Sequence, residues 1–112
     1  MSATPPGVWF VRCHFDPDER ERMLELRAAH LEFAIGERDR IRYGGLLSGP
    51  SGPTGIAYFV DAADEAEVEA WTRRDPYRSV YASVEVTPFV QRIPEGRPGE
   101  LERLLDAARE QR

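Results

Sequence analysis

Lysine is missing from this 112-residue chain, and all fifteen of its cationic side chains are arginine. Schiff-base and pyridoxal-phosphate chemistry through a lysine is thereby excluded, as is a lysine general base. Cysteine is almost missing too: Cys13 alone cannot form an internal disulfide, which suits the reducing cytosol. With only His14 and His30 beside it, no zinc-ligand spacing exists, and neither a metal nor a cofactor is expected. Nowhere do eighteen apolar residues run together, and the first residues show no basic or apolar signal region. A soluble, cytoplasmic protein without membrane contact is the expectation. Formal net charge is -5 with a pI near 5.1, and no basic cluster stands apart from acidic residues, so a phosphate-tracking surface for nucleic acid is excluded.

What remains is ample for one domain, with 41% hydrophobic and 31% charged residues. Residues 1–7 read as a flexible, proline-bearing leader. Val8–Phe15 is β-branched and aromatic, with Trp9, Val11, Cys13 and Phe15 on a core face and Val8, Phe10, Arg12 and His14 opposite. Asp16-Pro17 opens a helix over 19–38 as N-cap and first position. Ile41–Ser48 and Gly55–Val60 read as a hairpin around a loop of about seven residues from Gly49. A second helix over 64–74 is anchored by Val68 and Trp71 and stopped by Pro76. The last strand, Val80–Phe89, belongs at a sheet edge because Pro88 has no N–H to donate. Its alternation sends Tyr81, Ser83, Glu85 and Thr87 away from the helices.

Strand, helix, strand, strand, helix, strand is the ferredoxin-like βαββαβ order, an α+β fold with four antiparallel strands and both helices on one face. The opposite face, mixed aromatic and polar, is too apolar to stay wet, so a homodimer about a two-fold is the economical solution, with Arg12 and His14 as interface polar groups. A C-terminal extension over 94–112 carries a short amphipathic helix, with Leu101, Leu104, Leu105 and Ala108 as its stripe.

Two residues contradict the apolar face of the first helix. Met23, Leu24, Leu26, Ala28, Leu31, Phe33, Ala34 and Ile35 recur at helical spacing, yet His30 falls among them and Arg27 lies close by. A buried imidazole needs partners, and an unpaired buried guanidinium costs several kcal/mol. Asp75 is as oddly placed, since the C-terminal end of a helix disfavours an anion. It reads either as N-cap of a short turn over 76–79 or as a partner for one of those cations.

Arg27-Ala28-Ala29-His30 and Arg74-Asp75-Pro76-Tyr77, with Gly44-Gly45-Leu46-Leu47, Gly49-Pro50 and the strand Tyr81-Ala82-Ser83-Val84-Glu85-Val86-Thr87-Pro88-Phe89, resemble the YciI-like (YCII domain) family over residues 8–93. That resemblance implies a dimeric α+β barrel of ferredoxin-like subunits with a small-molecule pocket and a His-Asp pair, here His30 and Asp75. A dehydrohalogenating lyase is among the family's activities. Asp75 would fix the tautomer of His30 and free its other nitrogen to move a proton. Arg27 could grip a carboxylate or phenolate with two prongs, or simply neutralise Asp75 or Glu85. Tyr77 and the Gly49-Pro50 loop complete the candidate substrate contacts.

Such a set suits isomerisation or elimination on a small anionic or phenolic ring compound without a cofactor. A non-catalytic binding or scaffold dimer is the rival reading, and an oxygen-dependent monooxygenase of similar architecture a third.

Overall fold

The computed structural model describes residues 7–111. The leader expected over 1–7 lies outside them except for Gly7, which opens the first strand. The elements are β1 (Gly7–Phe15), α1 (Arg20–Gly36), β2 (Ile41–Gly49), β3 (Gly52–Ala62), α2 (Glu65–Arg73), β4 (Tyr81–Phe89) and α3 (Glu100–Glu110), with short 3-10 turns at Pro17–Glu19 and Pro76–Val80.

Antiparallel pairing gives the sheet order β2-β3-β1-β4, which is the ferredoxin-like arrangement. Pro88 indeed lies on an edge strand, opposite Trp9. Alternation along β1 drives Trp9, Val11 and Cys13 to one face, where they meet Ile56, Tyr58 and Val60 of β3 and Val68 and Trp71 of α2 in a single core. Met23, Leu26 and Phe33 of α1 pack on the same cluster, so both helices cover this face.

Local chemistry explains the element boundaries. Asp16 caps the 3-10 turn rather than α1 itself, its Oδ1 accepting from the Asp18 N–H at 2.9 Å. Asp64 caps α2 by accepting from the Glu67 N–H at 2.9 Å. The expected long β2–β3 loop is instead a two-residue turn, Pro50-Ser51, with Gly49 paired to Gly52. Gly52 has φ 116°, which only glycine adopts at little cost, so the strands continue to the turn. Pro53 is tolerated because it lies beyond Gly55, the end of the stretch of β3 that β1 covers.

Tyr81 departs from the simple alternation. Phe15 faces Tyr81 while His14 faces Ser83, so β4 carries one extra residue, Ala82, as a bulge. The bulge turns Tyr81 into the core at 7% exposure instead of onto the open face. The open face holds an aromatic row in which Phe59 lies 5.0 Å from Phe10 and 4.7 Å from Phe89, flanked by a His14–Glu85 contact of 3.4 Å.

α1 is not apolar on one stripe but divided between two. Met23, Leu26, His30 and Phe33 follow the core, whereas Leu24, Leu31 and Ile35 stay exposed at 58%, 45% and 59%. Leu24 and Leu31 instead border a cavity.

Candidate active site

Helix α1 sets His30 on its core stripe, and the 3-10 turn after α2 brings Asp75 beneath it. Both are buried, at 6% and 5% exposure. His30 Nδ1 donates to Asp75 Oδ1 at 2.8 Å. An ionised carboxylate only accepts, so this contact calls for a proton on Nδ1, and in the neutral ring Nε2 is then the acceptor.

Asp75 is held from three sides. The same Oδ1 accepts from the Tyr77 N–H at 2.9 Å, the N-cap bond of the turn, and Oδ2 accepts from the Tyr81 hydroxyl at 2.8 Å. Its two alternative readings, cap and partner, are therefore both realised by one side chain. Three donors onto one carboxylate offset the desolvation of its charge. The Tyr77 ring stacks on the imidazole, centroids 4.0 Å apart and planes 10° from parallel, which restricts rotation of His30.

Tyr58 completes the group from β3. Its hydroxyl lies 3.4 Å from His30 Nε2, a long contact in which the phenol donates to the free nitrogen. Burial, reinforced by the Asp75 charge, pushes the Tyr58 phenol well above its usual range, so the group stays protonated. Tyr81 is raised likewise, first by burial and then by Cys13 and Asp75. For Tyr77 burial raises the phenol, while the Arg27 guanidinium acts in the opposite sense. Cys13 behind them is an inert core thiol, pushed up to about 12 chiefly by burial.

In front of His30 and Tyr58 opens a cavity of about 600 Å³ between α1 and the β2 edge of the sheet. The helix supplies Arg20, Leu24, Arg27, Leu31 and Ala34, spaced along its second stripe. The strands supply Leu46, Pro53 and Ile56, with the backbone of Gly44 and Gly45 between them. A Cβ at Gly44 would stand 2.8 Å from Tyr58 Cδ1, so glycine here admits the tyrosine ring. Among the described residues no aspartate or glutamate lines this cavity. Among the described residues neither Arg20 nor Arg27 has a carboxylate within ion-pair distance, which leaves no ion pair from Arg27 to Asp75 or Glu85.

Of the residues singled out from sequence, His30, Asp75 and Tyr77 meet in direct contact, and Arg27 joins His30 and Tyr77 on the cavity wall. Gly49 and Pro50 do not line it. The ladder carries them to the hairpin tip, and Pro53 reaches the wall in their place. Three residues escaped the sequence reading. Tyr58 was detectable, since it alternates with Ile56 and Val60 and puts a polar tip on a core face. Arg20 lies seven residues before Arg27 and so shares its stripe. Tyr81 had no local signal, because a bulge decides its direction.

A ferredoxin-like α+β fold, in the form of one subunit of the dimeric α+β-barrel class, thus carries a buried His-Asp pair beside an apolar, cation-lined cavity. The YCII-related domain family matches residues 8–90, and the chain belongs to that family. No functionally curated protein matches the sequence. Among solved structures, the chain is similar to 5-chloro-2-hydroxyhydroquinone dehydrochlorinase from Burkholderia phenoliruptrix, in complex with 2,5-dihydroxybenzoquinone: TM-score 0.72 at 19% identity, covering 79% of this chain and 98% of the other. A candidate antibiotic biosynthesis monooxygenase from Bacteroides thetaiotaomicron is similar at TM-score 0.51 and 14% identity, covering 86% of this chain and 97% of the other. At these identities the likeness is one of fold. Among the described residues no helix is long and apolar enough to cross a membrane, and no cluster of three metal-ligating side chains occurs.

Proposed function

We propose that this protein is a small-molecule enzyme performing cofactor-free acid/base chemistry, an isomerisation or elimination, on a small anionic or phenolic ring compound. The observation that carries this reading is the imidazole pinned by Asp75 at 2.8 Å with its other nitrogen turned toward Tyr58 and the cavity. His30 Nε2 takes the proton from the substrate. The electron pair left behind expels a leaving group in an elimination, or returns to a proton at another carbon in an isomerisation. Asp75 stabilises the imidazolium so formed without itself being protonated. The Tyr58 hydroxyl donates to negative charge developing on a substrate oxygen, and Arg27 grips an ionised oxygen at the same end.

The open face suits a second copy. Its aromatic row of Phe10, Phe59 and Phe89 gives the apolar centre of a two-fold interface, with Arg12, His14 and Glu85 among its polar groups. The neighbouring dehydrochlorinase supplies the probe: release of chloride from 5-chloro-2-hydroxyhydroquinone. Turnover of this or another halogenated hydroquinone should fall by about a hundredfold or more in His30→Ala, with the oligomer mass unchanged. A variant that keeps full turnover would end the enzymatic reading. Loss of the fold or the dimer in its place would make the polar group a scaffold.

A further inference from the structure

We infer that the substrate is longer than a single ring: it carries an ionised carboxylate, held by Arg20, at a distance from the oxygen that meets His30 and Tyr58. This rests on the functional reading just given and narrows it to a class of substrate. Arg27 stands three residues before His30, about 4.5 Å along the helix axis, whereas Arg20 stands ten before it, about 15 Å. A lone ring seated against His30 finds its cation in Arg27. For that ring Arg20 is superfluous.

Yet Arg20 sits on the cavity wall with no acidic partner within ion-pair distance among the described residues, in a chain whose net charge is -5. It also borders a second hollow of about 290 Å³, which shares Phe15, Arg20, Met23 and Pro53 with the main cavity. Ser51 of the β2–β3 turn and Gly52 and Thr54 at the start of β3 also line this hollow. Its one carboxylate, Asp16, already accepts the Asp18 N–H and is not among the residues that line the main cavity. An anion is therefore best placed at the junction, facing the guanidinium, with the ring among Leu24, Leu31 and Leu46. A planar carboxylate matches the guanidinium fork.

Binding measured by calorimetry separates the alternatives. The probes are 4-hydroxycinnamate, its uncharged methyl ester, and 2,5-dihydroxybenzoquinone as a single ring. Wild-type protein should prefer the acid to the ester by about ten- to a hundredfold, the range of a charge-assisted contact. Arg20→Gln should erase that preference while leaving binding of the single ring unchanged, and Arg20→Lys should restore part of it. Equal binding of acid and ester by the wild type would overturn the inference. So would an Arg20→Gln variant that keeps the preference, or one that weakens all three probes alike together with its urea midpoint, since Arg20 would then serve only to offset Asp16. The functional reading fails separately, on undiminished turnover in His30→Ala, whatever Arg20 binds.

Discussion

Removing the Asp75 carboxylate tests the site without any knowledge of the substrate. In Asp75→Ala three buried donors lose their acceptor at once: His30 Nδ1, the Tyr77 N–H and the Tyr81 hydroxyl, bonded at 2.8, 2.9 and 2.8 Å. Each unsatisfied buried donor costs about 1–3 kcal/mol. Shared relaxation and water entry bring the combined loss to about 3–5 kcal/mol, the range found when a buried charged partner is removed. Against a total stability of about 5–15 kcal/mol for a domain of this kind, that loss is severe. Asp75→Asn is milder. Its carbonyl can still accept from His30 and Tyr77, and only the Tyr81 hydroxyl must reverse from donor to acceptor, so about 1–2 kcal/mol should be lost. Urea unfolding of both variants measures the two values, and nitrogen NMR of His30 shows whether Nδ1 still holds the proton. An Asp75→Ala protein with a wild-type urea midpoint would refute the reasoning, because a carboxylate gripped by three donors cannot be dispensable to the fold. The Asn variant should also lose turnover by about a hundredfold or more if proton transfer depends on the charge.

Gly44→Ala should push the Tyr58 ring out of place, since the new Cβ would lie 2.8 Å from its Cδ1. A stability loss of about 1–3 kcal/mol is expected, with weaker binding of 2,5-dihydroxybenzoquinone, both checked by urea unfolding and calorimetry. Alkali should destabilise the fold. The Cys13 thiol, ordinarily near 9.0, is pushed up to about 12, so the unfolded chain releases a proton that the folded one retains. Stability from this group is complete below about pH 9 and falls by about 1.4 kcal/mol per pH unit toward its folded value. Tyr58 and Tyr81, also raised, add to the slope above their ordinary value of 10.0. Urea midpoints over this interval should drop less steeply in Cys13→Ala; an unchanged slope would remove the buried thiol from the account. Phe59→Glu places a charge between Phe10 and Phe89 on the open face and should convert a dimer into monomer, as light scattering would show.

Much of the site was legible because its oddities are local. His30 interrupts an apolar helical stripe, and Asp75 stands next to a proline at a helix end, so both signal a demand for partners. Tyr58 was legible in principle from its place between Ile56 and Val60. Gly49 and Pro50 misled, because loop chemistry on a one-dimensional reading does not say how far a ladder will zip before the turn. With Gly52 at positive φ, the strands pair to the last residue and carry that tip past the cavity.

The chain by itself decided everything governed by periodicity and capping. Alternation in the strands, the 3.6-residue repeat in the helices and the capping aspartates Asp16, Asp64 and Asp75 dictate βαββαβ and a polar residue where a core should be. Only the folded sheet decided which polar groups meet. Register determines that Tyr58 comes under His30, and the extra residue Ala82 turns Tyr81 inward to Asp75. A bulge reverses the direction of a side chain without altering the residues around it, so no local pattern can announce it.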